Sequence, residues 1–227
     1  MTHSIVRITS EIHQVGGFGL THPDDAAIYL VNFAGQAALI DAGSGGNQSQ
    51  LLANIHAAGV TPEQIRYLLL THCHFDHTGG ARSLREQLGC PSIAHVLDAE
   101  FLEIGDDEVT AASWYGTHLT PFTVDQKLTA PRTEILLGDR VITALHIPGH
   151  SPGSVAYLTA SEGQTVVFAQ DVHGPLHPAL RSNTADYVSS LRELLDLQAD
   201  ILCEGHYGIF TGQSAMRRFI LSFLNRF

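Results

Sequence analysis

Short runs of β-branched and apolar residues, separated by glycine, proline and asparagine, open the chain: Ile5 to Ile8, Ile12 to Val15, Ala27 to Phe33 and Ala37 to Asp41. Their length and punctuation predict consecutive antiparallel strands. Leu51, Leu52, Ile55 and Ala58 then recur at helical spacing and stop at Gly59, which predicts an amphipathic helix with a glycine just past its end. Ile65 to Leu70 reads as a fully buried strand. A polar, histidine-rich segment follows at once, at the C-terminal end of that strand, where open α/β sheets gather their ligands.

The pattern continues with a helix over Ala81 to Leu88, a short strand over Ser92 to His95, and one or two helices over Ala99 to Gly116. Thr117 to Arg132 is rich in proline and threonine and carries little periodicity, so it reads as a cover over a pocket or a surface connection. Strands are predicted again at Glu134 to Leu137, Val141 to Ile147, Ser154 to Leu158 and Thr165 to Ala169. A helix near Tyr187 to Leu195, a strand over Asp200 to Cys203 and a closing helix over Ser214 to Leu224 complete the chain. The order strands, helix, strand, helix occurs twice, which suggests an α/β fold of two packed sheets with helices outside. The expected organisation is one domain, 1–227, with halves at about 1–116 and 133–227 joined by 117–132.

Composition narrows the function. The chain has 227 residues, 44% hydrophobic and 15% charged, enough to bury a sizeable core and too apolar for disorder. Twelve Lys and Arg against 23 Asp and Glu give a formal charge of −11, which argues against nucleic acid as partner. No apolar stretch approaches the ~20 residues that cross a bilayer, and Met1 to Ser10 has no signal-peptide pattern, so a soluble cytoplasmic protein is expected. Cys73, Cys90 and Cys203 form no Cys-x-x-Cys pair and read as buried thiols. Histidine is the anomaly: its 14 copies outnumber the bases, and imidazole is the commonest protein ligand for transition metals.

Six successive positions, His72-Cys73-His74-Phe75-Asp76-His77, hold three imidazoles and a carboxylate. In an extended stretch His72 and His74 project to one side and Cys73 to the other, so the two histidines can grip one ion while the cysteine turns into the core. Asp76 and His77 come after a change of direction and can face a second ion. The cluster is echoed downstream by His150 in the turn Pro148 to Gly153, and by Asp171 and His206, which each follow an apolar strand.

With these residues the sequence resembles the metallo-β-lactamase-fold hydrolases, the glyoxalase II-like group, from Asp41 in Ile40-Asp41-Ala42-Gly43 through the His-x-His-x-Asp-His motif to His206. The resemblance implies an αββα four-layer sandwich. It implies that His72, His74 and His150 hold one metal, that Asp76, His77 and His206 hold a second, and that Asp171 bridges them. Asp41 would support the motif loop from behind. Gln170 stands where many members have glycine before the bridging aspartate. The implied cofactors are two divalent ions: zinc suits a nitrogen and oxygen donor set, which iron and manganese also accept.

The implied chemistry is attack by metal-bound hydroxide on the carbonyl of a small ester, thioester or lactone. Two divalent ions against two carboxylates and a hydroxide leave the centre one positive charge. Asp76 or a metal-bound water is the candidate proton carrier to the leaving group, and His173 is a candidate substrate contact or proton donor, or a hydrogen-bonding support. Tyr115 and Tyr207 offer phenolic donors or packing, and Trp114 and Phe122 an apolar wall or packing. His3, His13, His22, His56, His95, His118, His146 and His177 fit no ligand pattern. Leu221, Phe223 and Leu224 could pack on the domain or on a second copy, making a homodimer.

A lactonase or general ester or thioester hydrolase is expected over glutathione thioester hydrolysis, since the sequence ends one helix after His206 whereas glyoxalase II carries a larger helical C-terminal region. Persulfide dioxygenases share the motif and use one iron; that oxidoreductase is the alternative. A β-lactamase is disfavoured because that branch usually lacks the aspartate at position 76. A nuclease is disfavoured by the acidic balance, and a non-catalytic sensor by the intact ligand set.

Overall fold

A computed structural model describes residues 5–169 and 171–227; His3 and Gln170 lie outside the described residues. Seven strands lie side by side in chain order: β1 (Val6–Arg7), β2 (Ile12–Gly16), β3 (Ile28–Phe33), β4 (Gln36–Ile40), β5 (Ile65–Leu69), β6 (Ser92–His95) and β7 (Gln126–Leu128). β1 to β4 pair antiparallel, whereas β4 to β7 pair parallel. Parallel neighbours need a crossover. Helix α1 (Gln48–Ala57) carries the first, the short α2 (Phe75–Thr78) and α3 (Ala81–Leu88) the second, and α4 (Val96–Ile104) begins the third.

The second sheet runs in the order β13-β12-β11-β10-β9-β8. Its strands are β8 (Arg132–Leu137), β9 (Arg140–His146), β10 (Val155–Ser161), β11 (Gln164–Phe168), β12 (Ile201–Cys203) and β13 (Ile209–Thr211), with α5 (Thr184–Asp196) before β12 and α6 (Gln213–Leu224) at the end. Only β11 and β12 are parallel neighbours, and α5 is their crossover.

Alternation along the strands separates three apolar layers. Tyr29, Val31, Phe33, Ile40 and Leu69 of the first sheet meet Ile142, Val155, Tyr157, Val166 and Phe168 of the second in a central layer. Leu30, Leu39 and Leu68 point the other way, toward Leu51, Ile55, Leu84 and Leu102 of the first helices. Leu145, Ala156, Val167 and Leu202 pack on Leu191, Leu194, Met216 and Ile220 of α5 and α6. The result is the expected αββα sandwich. Polar threads cross between the sheets: the Tyr157 hydroxyl donates to Leu70 O (3.0 Å) and Tyr29 to Glu204 O (2.8 Å), both at strand ends beside the histidine-rich loops.

Several local expectations change. β5 is not fully buried, because Arg66 turns outward to solvent. α4 starts at Val96, since His95 Nδ1 caps it by accepting from Leu97 N, and it ends at Gly105 in the left-handed conformation; beyond it only a short turn, Ala112–Tyr115, is helical. The weakly periodic 117–132 connection contributes β7, a three-residue edge strand, and β13 likewise escapes the apolar pattern, its residues being half-buried or exposed. Phe223 is buried and Leu224 half-buried against α5 and the second sheet, so these two pack on their own chain. No helix among the described residues is long and apolar enough to cross a membrane.

Candidate metal centre

Four loops reach one end of the sandwich: the segment after β5, the turn after β9, and the segments after β11 and β12. After β5 the chain stays extended through His74, whose backbone (φ −67°, ψ 148°) opens the single turn α2 that carries Asp76 and His77. His72 and His74 therefore leave the backbone on one side, with Cys73 fully buried in the helix-side core. His150 sits in the turn held by Asn183 N donating to Gly149 O (2.8 Å). Asp171 has φ 55°, a left-handed conformation that aspartate tolerates better than most residues.

All seven side chains converge. His74 Nδ1 lies 3.0 Å from His72 Nε2 and 2.9 Å from His150 Nε2, and Asp171 Oδ2 lies 3.2 Å from His150 Nε2. Asp171 Oδ1 faces the other way, 3.2 Å from His77 Nε2 and 3.3 Å from His206 Nε2, while Asp76 Oδ2 lies 3.2 Å from His206 Nε2. Two groups result, His72 with His74, His150 and Asp171, and Asp76 with His77 and His206; within each, one ligand atom per residue lies within 4.8 Å of the others. All are buried except His206, the exposed rim of the cluster.

The outer nitrogens fix which ring atoms face inward. His77 Nδ1 is 2.7 Å from Asp41 Oδ2; a carboxylate only accepts, so Nδ1 carries a hydrogen and Nε2 is the ring atom that faces the cluster. Thr71 Oγ1 donates to Asp41 Oδ2 (2.7 Å) and so accepts from His72 Nδ1 (3.1 Å). His150 Nδ1 donates to Pro175 O (2.9 Å). Asp41 also takes Thr71 N on Oδ1 at 2.8 Å and is fully buried. Metal-binding histidines characteristically have such outer partners.

Charge follows the same division. Burial, then the neighbouring His77 and His74, holds His72 well below the usual imidazole value, and burial with His150 brings His74 down to about 3. At His77 and His206 burial opposes the charge, but Asp171 and Asp76, with Asp41 at His77, outweigh it; His206 rises to about 10. Burial likewise opposes ionisation of Asp76 and Asp171, and His77 reverses it, pulling both down, Asp171 strongly. The two carboxylates thus demand positive charge between them.

A divalent cation fits this donor set. His77 Nε2 and Asp171 Oδ1, which both face into the cluster, are buried polar atoms without a hydrogen-bond partner among the described residues. His74 Nδ1 stands 2.9–3.0 Å from two ring nitrogens, His72 Nε2 and His150 Nε2, whose hydrogens are on their outer atoms, so three nitrogen donors crowd one point. That spacing is slightly tighter than the roughly 3.3 Å edge of a tetrahedron with ~2.0 Å arms, so it takes a transition metal with little movement.

His173 lies at the margin: its Nδ1 donates to Glu204 Oε1 (2.7 Å), and it groups with Asp171 and His206 within 4.8 Å. Burial, then the nearby Asp76 charge, raises the Tyr115 phenol. The Tyr207 ring is exposed, 5.0 Å from His173. Trp114 is exposed near His177, whereas Phe122 is buried in the helix-side core with Leu102 of α4. His95 and His146 stack at 3.8 Å away from the cluster.

Motif spacing does not mark Glu204 or Asp98. Glu204, fully buried, takes His206 N and Tyr207 N on Oε2, both at 2.8 Å. Its place directly after β12, two residues before His206, is a usable signal; Asp98 has none. Two cavities flank the centre, about 380 Å³ beside His206, lined by Phe18, Asp24, Tyr115 and Glu204, and about 340 Å³ beyond His173, lined by Leu176, Tyr187, Phe223 and Arg226.

Known proteins agree with this architecture. The chain is 31% identical over 215 residues to the acyl-coenzyme A thioesterase MBLAC2 of Gallus gallus, covering 85% of this chain and 76% of that one. It is 34% identical over 131 residues to a hydroxyacylglutathione hydrolase of Anaeromyxobacter dehalogenans, covering 58% of this chain and 41% of the relative. Among solved structures, the subclass B3 metallo-beta-lactamase BJP-1 of Bradyrhizobium japonicum superposes with TM-score 0.80 at 20% identity, covering 99% of this chain and 92% of the other. The Rm3 metallo-beta-lactamase gives 0.81 at 21%, covering 99% and 93%. Residues 23–206 match the sequence model of the Metallo-beta-lactamase superfamily, so the chain whose imidazoles and carboxylates meet at this sandwich edge belongs to that superfamily and is a metal-dependent hydrolase.

Proposed function

We propose that the chain is a binuclear hydrolase of small carbonyl substrates, with a thioester as the leading substrate class and esters and lactones beside it. His72, His74 and His150 hold one ion, Asp76, His77 and His206 the other, and Asp171 bridges them. The observation that carries the reading is the back-to-back disposition of Asp171, Oδ2 on His150 at 3.2 Å and Oδ1 on His77 at 3.2 Å, between two groups whose ring nitrogens point inward. The thioester preference draws on relatives named as an acyl-coenzyme A thioesterase, a hydroxyacylglutathione hydrolase and an atrochrysone carboxyl ACP thioesterase. Zinc is the expected metal; iron and manganese suit the same donors. The reading takes 1–227 as one domain and, with three free buried cysteines, a reducing cytoplasmic setting.

Divalent ions bound there supply a nucleophile at neutral pH, by bringing the pKa of water to about 7, and polarise the carbonyl. The protein's own groups do the rest. Asp76, held anionic beside His77 and His206, takes a proton on one carboxylate oxygen and passes it to the leaving sulfur or oxygen. Asp41 and Pro175 O keep His77 and His150 in the tautomer that points Nε2 inward. His173, its Nδ1–H given to Glu204, turns Nε2 to the substrate side and orients the scissile group. Phe18 and Tyr115 wall the larger cavity.

Elemental analysis of the purified chain, followed by a panel of acyl thioesters, lactones and aryl esters, tests this. Two ions per chain and thioester turnover are expected, and Asp171→Ala should lower both metal content and rate. Full metal content at an unaltered rate in that variant contradicts the bridge. One iron per chain with oxygen uptake on a persulfide replaces the reading with the oxidoreductase.

A further inference from the structure

Asp98 is a fully buried carboxylate that the chemistry above does not use. It sits in the first turn of α4, and its two oxygens are spent on two separate loops. Oδ2 accepts from Cys73 N at 2.9 Å and from Ser151 Oγ at 2.5 Å; Oδ1 accepts from Gly153 N at 2.6 Å. Cys73 N belongs to the peptide that joins His72 to the rest of its motif, and Ser151 and Gly153 immediately follow His150. A single side chain therefore ties the first-sheet loop carrying two imidazoles to the second-sheet turn carrying the third.

The contact is built closely from both sides. A Cβ on residue 153 would stand 2.6 Å from Asp98 N and 2.7 Å from Asp98 Cβ, so glycine is what lets the turn approach the carboxylate. Ser154 Oγ, 2.8 Å from Ser151 Oγ and 3.1 Å from Ser151 N, fixes the serine that meets Asp98. Burial raises the Asp98 pKa while the Ser151, Gly153 and Cys73 hydrogen bonds oppose it. Burying a carboxylate among neutral donors is expensive, and a plain packing contact here would be met by an apolar residue at less cost.

We propose that Asp98 is a positioning residue for the three-histidine group: through Cys73, Ser151 and Gly153 it sets the distance between the His72–His74 segment and the His150 turn, and so the affinity of that group for its ion. The inference rests on the ligand assignment proposed above. It differs from the support given by Asp41, whose contacts with Thr71 and His77 lie within one half of the fold; Asp98 joins the two sheets.

The test uses the full chain and cobalt or zinc titrated against a competing chelator, with the cobalt visible spectrum as a second readout. His150→Ala comes first: if it leaves metal uptake unchanged, the ligand assignment falls and the inference with it. With that control positive, Asp98→Ala is expected to weaken the three-histidine group by about 10–100-fold and alter its cobalt bands, while the Asp76, His77 and His206 group stays within about twofold. Ser151→Ala, which removes one of the three donors, should give a smaller loss in the same group. Asp98→Asn, which keeps the volume and one carbonyl oxygen, should recover part of the affinity lost in Asp98→Ala; it and Ser151→Ala carry the test should the alanine variant not fold. Unchanged affinity and spectrum in folded Asp98→Ala and Asp98→Asn overturn the proposal. So does equal weakening of both groups in step with the unfolding midpoint of the metal-free chain, which is what a merely structural residue would give.

Discussion

Asp41→Asn is the sharpest perturbation of the centre that leaves its shape intact. The carboxylate accepts from Thr71 N at 2.8 Å, Thr71 Oγ1 at 2.7 Å and His77 Nδ1 at 2.7 Å. An asparagine can keep its carbonyl oxygen on Thr71 N, and the threonine hydroxyl can turn to accept. Its amide then faces His77 Nδ1 with a donor where an acceptor stood. The ring must give up the Nδ1 hydrogen and carry its proton on Nε2, the atom 3.2 Å from Asp171, where a metal ligand needs a lone pair.

Losing one charge-assisted bond in a site 0% exposed at both residues costs about 1.5–3 kcal/mol of metal-free stability. Metal affinity should fall about 10–100-fold, or roughly 1.4–2.7 kcal/mol. Chemical denaturation of the metal-free chain reads the first quantity and chelator competition the second. Asp41→Ala should cost more stability, about 3–5 kcal/mol, because it strands a buried imidazole. If Asp41→Asn binds metal as tightly as the parent chain, the tautomer argument for His77 is wrong.

The His95 and His146 stack gives a pH signature separate from the centre. Burial, then His146, lowers His95 from 6.5 to about 4, so the folded state refuses a proton that the unfolded state accepts. The associated stability is complete above about pH 6.5 and is lost as pH falls toward about 4, by up to about 3 kcal/mol. His95→Asn keeps an acceptor for Leu97 N and should flatten that part of the curve; parallel denaturation curves for the two chains between about pH 7.5 and pH 4 would refute it. Gly149→Ala probes the turn before His150: φ is +130°, and an added Cβ would lie 2.2 Å from Tyr187 N in α5. About 2–4 kcal/mol of stability should be lost, measured by urea unfolding, with metal content falling as the turn shifts; a loss under about 0.5 kcal/mol would show that α5 yields freely.

Much of the architecture is written in local pattern. Ala81 to Leu88 and Ser92 to His95 form the helix and strand their spacing predicts, because apolar periodicity and bounding glycines act over a few residues. β7 and β13 are missed for the complementary reason: each is three residues long and holds its place through a neighbour's backbone, Ile93 to Gln126 in one case and Ile201 to Thr211 in the other, so side-chain pattern leaves little trace. Phe122 reads equally well as pocket wall or core until α4 is in place above it.

The donor set is also a property of the sequence. His72, His74, Asp76 and His77 are dense enough to announce metal chemistry, and His150, Asp171 and His206 follow apolar strands that end on the same edge. Tertiary structure alone decided what holds those donors in register. Asp98 lies 25 residues from Cys73 and 53 from Ser151, and Glu204 lies 31 residues from His173. An acidic residue carries no mark of what it will accept from, since hydrogen bonds are directional and span a few ångströms. Only the packing of two sheets and their helices brings such donors and acceptors within reach.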